Sequence, residues 1–116
     1  MPPEGFPDEF EGKEQFAKIY PKLDKAEFED RKRRIYLPKL NWILSALERS
    51  GYEKSELLGM KWLELGSGSG AFLSSLEDVG VDDYVGFEKE KTLLERSESV
   101  VSPERVCLST GSLAEI

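Results

Sequence analysis

Three glycines, Gly66, Gly68 and Gly70, fall within five residues in the stretch KWLELGSGSGAFL. An apolar run of strand length precedes them, and a segment with helical spacing of its apolar residues follows. Of all the features in the chain, this one constrains the fold most. A chain passes so abruptly from strand to helix only where side chains are missing and positive φ is permitted. Such a turn also aims unpaired amides and the positive end of a helix dipole at whatever rests on it.

The alternation continues downstream. AFLSSLEDVG reads as a helix of about two to three turns closed by Gly80. DDYVGFE is rich in β-formers and ends in an acid, KEKTLLERSESV reads as a charged helix with Leu93 and Leu94 inward, and RVCLST reads as a third strand. Upstream, Asp24 and Glu27 form a capping-box pattern, and Leu37, Leu40, Ile43, Leu44 and Leu47 recur at helical spacing up to Gly51. This predicts one long amphipathic helix, or two meeting near Pro38. KSELLG reads as a short turn. The expected divisions are a flexible arm over 1–23 that could dock through Phe6 and Phe10, a helical cap over 24–59, and a β-α-β-α-β unit over 60–116.

Strands alternating with single helices imply right-handed crossovers and a parallel sheet. The expected class is α/β, a Rossmann-like three-layer sandwich truncated after its third strand. A doubly wound sheet binds its ligand where strand order reverses, so further strands, from a longer chain or a second one, would complete the crevice. The first strand is then an open edge, which predicts self-association.

Composition narrows the chemistry. With 16 Lys+Arg against 23 Asp+Glu the formal charge is −7, which disfavours a nucleic-acid partner. No apolar run reaches the roughly 18 residues of a membrane span, and a single cysteine, Cys107, fits a reducing compartment. A cytoplasmic location is expected. Histidine is absent, which removes the commonest general base and metal ligand, and no metal site is expected.

The glycines suit any nucleotide, and Gly66-x-Gly68-x-x-Ala71 also meets the looser dinucleotide fingerprint. Two acids discriminate. Glu64, two residues before Gly66, would face a ligand on the loop; it would repel a pyrophosphate and attract a cation. Glu88 ends the second strand eighteen residues after Gly70, where a carboxylate can accept both hydroxyls of a ribose. An adenosyl group bearing an amino acid and a positive sulfur would use both. Each acid also has a plain structural role open to it: Glu64 as a capping or ion-paired residue, Glu88 as an acid serving the dipole of the next helix.

LELGSGSGAFL followed by YVGFEKE resembles the first two motifs of the class I S-adenosylmethionine-dependent methyltransferases, over about Met60 to Ile116. Glu64, Gly66, Gly68, Gly70 and Glu88 match that pattern. The resemblance implies that Leu65, Ser67 and the three glycines carry the methionyl part of S-adenosylmethionine (SAM), with Glu64 near its ammonium end and Glu88 on the ribose. Where family members often have an apolar residue against adenine stands Lys89, whose stem serves only partly. Where many have Gly-Asp stands Gly111-Ser112, leaving Ser112 or the Leu113 amide to meet the ring. The implied activity is methyl transfer to a small-molecule or protein acceptor, with no acceptor residue assigned. Sulfonium chemistry asks mainly for alignment and dryness, so the lack of histidine is compatible. A non-catalytic binding module and a nicotinamide- or flavin-nucleotide domain remain as alternatives.

Other residues have plainer readings. RKRR, Arg31 to Arg34, is expected on a solvated face paired with Glu27, Glu29 and Asp30. Trp42 and Trp62 are expected as core anchors, Cys107 as a small buried hydrophobe, and Tyr20 and Tyr36 as packing residues.

Overall fold

The computed structural model describes residues 23–109. Its first helix, α1 (Lys25–Arg31), opens on the expected capping box: the Glu27 amide donates to Asp24 Oδ1 at 2.8 Å, and the Asp24 amide donates to Glu27 Oε1 at 3.2 Å. A wide π-turn, Lys32–Tyr36, then leads without a break into α2 (Leu37–Arg49). Pro38 sits in the first turn of α2. Its ring would press on the carbonyl four residues back in a regular helix, and the wider turn there makes room. Of the two expected forms, two helices meeting near Pro38 describes the segment, with the π-turn as the joint that was not expected.

KSELLG is a helix rather than a turn: α3 (Lys54–Gly59) carries its own capping box from Glu53 and Glu56. A glutamate doing an N-cap's work is uncommon, which is why the segment reads as a turn. Then follow β1 (Trp62–Leu65), α4 (Ala71–Asp78), β2 (Tyr84–Glu88), α5 (Lys91–Ser97), a short 3₁₀ turn (Pro103–Arg105) and β3 (Val106–Leu108). The three strands are parallel in the order β1-β2-β3. This is a Rossmann-like β-α-β-α-β arrangement of three parallel strands.

Stepping from β1 to β2 to β3 in one direction with right-handed crossovers puts α4 and α5 on the same face of the sheet. That covered face carries Trp62, Glu64, Tyr84, Gly86, Glu88 and Val106. Leu40 and Leu44 of α2, Leu57 of α3 and Leu73 and Leu76 of α4 close over it, joined by Val81 and Val101. Tyr84, buried at its centre, donates its hydroxyl to Glu77 Oε2 at 2.6 Å, with the Arg105 guanidinium 4.7 Å from its ring centre. Burial and then Glu77 hold that phenol protonated well above its usual range.

The opposite face carries Leu63 and Val85 in one row and Leu65, Phe87 and Cys107 in the next. Among the described residues no helix covers it, and Leu63 and Leu65 stay 55% and 52% exposed. Cys107, expected to be buried, is exposed for this reason. Trp42 is a second correction: it faces out from α2 and is 68% exposed, because the core-facing stripe of that helix is Leu40 and Leu44. Trp62 is half-buried and donates its indole N–H to the Leu57 carbonyl at 2.9 Å.

The basic cluster divides. Arg33 and Arg34 lie on the surface and pair with Asp30 at 2.7 and 2.8 Å. Lys32 departs from the expected solvated face and is only 4% exposed.

Candidate cofactor site

The three loop glycines all take positive φ, +74°, +59° and +92° at Gly66, Gly68 and Gly70. Gly70, which caps α4, is also tightly placed: a Cβ there would meet Val100 Cγ2 at 3.0 Å and Ser97 Cβ at 3.1 Å. Much of the loop's hydrogen bonding is internal. The Gly66 and Ser67 amides donate to the Phe87 carbonyl, and the Gly70 amide donates to the Ser67 carbonyl. The loop is therefore preformed, held by the strand beside it.

Glu88 completes that hold. Its carboxylate is buried; Oε1 accepts from the Gly68 amide at 2.8 Å and Oε2 from the Glu90 amide at 2.9 Å. Glu90 caps α5, so Glu88 joins the glycine loop to the start of the next helix.

Glu64 stands in contrast. Its Oε1 is buried with no hydrogen-bond partner, and the same is true of Ser67 Oγ. Burial, with a smaller contribution from Glu88, pushes the Glu64 carboxyl up to about 7, against the opposing charge of Lys39 on α2. Buried polar groups are normally paired, so two exceptions in residues that border one cavity ask for an explanation.

Above the loop lies a cavity of about 760 Å³. Its walls include Phe28 and Arg31 of α1, Tyr36 of the π-turn, Ser67 of the loop, and Leu93 and Arg96 of α5. The volume is that of a site for a nucleotide-sized molecule. Glu64, Gly66, Ser67 and Gly68 all border it. Leu65 does not, since its side chain is on the uncovered sheet face, and Lys89 is exposed outside the walls. Gly70 sits at the helix cap and Glu88 behind the loop. Ser112 and Leu113 lie outside the described residues.

Two contributors are absent from the sequence reading of the site. Gly86 on β2 lets the loop approach: a Cβ there would come within 2.6 Å of both Ser67 Cβ and Leu73 Cδ1. A lone glycine inside a strand signals such an approach. The wall from α1 has no local signal, because nothing in its sequence says which surface it packs against.

The fold and site define the class first: a Rossmann-like unit with a glycine loop and a helical cap enclosing a nucleotide-sized cavity. In sequence, no family model and no curated relative matches the chain. Among solved structures, the chain is similar to magnesium protoporphyrin IX methyltransferase from Synechocystis PCC 6803 with bound SAM, at TM-score 0.49 and 15% identity, covering 89% of this chain and 50% of that one. The same enzyme with bound SAH gives 0.47 and 15%, covering 89% and 47%. The chain thus spans about half the length of these proteins. What its own site can hold follows from its own atoms.

Proposed function

We propose that the cavity above Gly66–Gly70 binds SAM, and that the chain supplies the cofactor-holding half of a methyltransferase acting on a small-molecule or protein acceptor. The observation that carries this reading is that Glu64 Oε1 and Ser67 Oγ are both buried without a partner in residues that border the cavity. A pyrophosphate beside that acid would add like charge to a partly desolvated site. A cationic ligand would instead draw Glu64 into its ionised form and give both orphaned atoms a partner. Glu64 would then hold the ammonium end and Ser67 Oγ would donate to a ligand oxygen. The Gly66–Gly70 backbone would lie against the ligand without side chains in between, while Glu88 keeps the loop in shape. SAM, when bound, supplies an activated methyl group; the protein's share is to align it with the acceptor and exclude water, and the α1 wall of the cavity serves the second purpose.

Calorimetric titration with SAM, SAH and NAD tests the reading. Saturable binding of SAM and SAH without NAD is expected. NAD binding that survives Glu64→Gln would make this a dinucleotide site. Binding of SAM without methyl transfer to any acceptor would leave a binding module.

A further inference from the structure

Lys32 is a buried ammonium that no part of the cofactor reading uses. It begins the π-turn, directly after α1. Its Nζ lies 2.8 Å from Asp78 Oδ2, 3.0 Å from Glu29 Oε2 and 3.0 Å from Ser74 Oγ, with the Phe28 ring centre at 5.9 Å. Asp78 and Ser74 belong to α4, the helix that the glycine loop starts, whereas Glu29 and Phe28 belong to α1. Glu29, Phe28 and Ser74 all border the cavity. Burial opposes the ammonium, but Asp78 and Glu29 outweigh it and hold its pKa above the ordinary lysine value. A buried, triply satisfied charge is a poor source of net stability, yet removing one partner is costly because the others are left unpaired. Such a contact specifies an arrangement more than it strengthens one.

We propose that Lys32 is a positioning residue for the cofactor cavity: by bonding Ser74 and Asp78 of α4 while holding Glu29 of α1, it pins the cap helix closed over the glycine loop. The π-turn suits this role, since the extra residue in the turn redirects the side chains that follow α1. The inference rests on the cofactor reading for its ligand but not for its geometry, and the two are tested separately.

Hydrogen exchange followed residue by residue, without ligand, reads the pin directly. In Lys32→Met the amides of α1 are expected to exchange at least tenfold faster, while those of β2 keep their protection. Asp78→Asn, which leaves Glu29 and Ser74 in place, is expected to give a smaller increase in the same segment. SAM titration is expected to show at least a tenfold weaker Kd in Lys32→Met and partial recovery in Lys32→Arg. Unchanged exchange in α1 would overturn the proposal, as would equal loss of protection throughout the protein in both Lys32→Met and Asp78→Asn, which would make Lys32 part of the general core. Opened α1 amides with an unaltered SAM Kd would also overturn it, because the cap would then not shape the cavity. If the unmodified protein binds neither SAM nor SAH, the cofactor reading falls, and the exchange experiment still decides whether Lys32 closes the cap.

Discussion

Glu64 near the end of β1 and Glu88 at the end of β2 sit on one face of one sheet, beside one loop, and are the same residue type. Glu88 has both oxygens occupied by backbone amides. Glu64 has a buried oxygen with none and a carboxyl pushed up to about 7. The first is built into the loop, and the second is left over by it. A carboxylate that a fold consumes internally holds shape, and one that a fold buries without a partner is left with an unsatisfied oxygen.

Glu88→Ala attacks the consumed member and should have the largest effect. It removes the acceptor of two charge-assisted bonds and strands the Gly68 and Glu90 amides, so urea unfolding should show a loss of about 3 kcal/mol. A loss within error would mean that the loop keeps its shape unaided, and the contrast between the two acids would collapse. Gly86→Ala tests the same support from the other side: the new methyl group drives into Ser67 and Leu73, at a cost of about 1–3 kcal/mol.

Glu64→Gln should act in the opposite direction. Its folded carboxyl titrates near 7 and its unfolded one near 4.5, so the folded state binds the proton more tightly. Stability from this group is therefore present below about pH 4.5 and is lost as pH rises to 7. The variant should gain on the order of 2 kcal/mol over the unmodified protein at pH 8 and nothing at pH 4. An equal difference at both pH values would place the Glu64 carboxyl in the normal range. Where a cation binds beside Glu64, ligand binding favours the ionised form, so SAM affinity should rise with pH up to about 7 and level off above it; Glu64→Gln should flatten that profile. The smallest effect is expected one residue along: Leu65→Thr, on the uncovered face, should change stability by less than about 0.5 kcal/mol.

Much of this molecule could be read locally. The capping box at Asp24, the helix after Gly70 and the three strands follow from periodicity and end signals that neighbouring residues supply. Gly66, Gly68 and Gly70 announce the loop because positive φ is a property of single residues. Trp42, Cys107 and Lys32 depart from their usual environments for a common reason. A large apolar ring, a thiol in an apolar strand and a lysine in a basic run each have a usual environment, and the burial they meet here depends on which faces other elements cover. Cys107 follows from α4 and α5 sharing one side of the sheet, and Lys32 from the π-turn lying against α4.

The sequence by itself determined the alternation of strands and helices, the loop between β1 and α4 and the presence of two acids beside it, because these depend on residues close together in the chain. Only the tertiary structure decided which acid would be consumed. Glu88 lies twenty positions from the Gly68 amide it holds. Lys32 lies forty-two from the Ser74 hydroxyl it reaches. Whether a buried charge finds its partner depends on contacts between segments that the chain brings together only by folding, and local propensity carries no record of them.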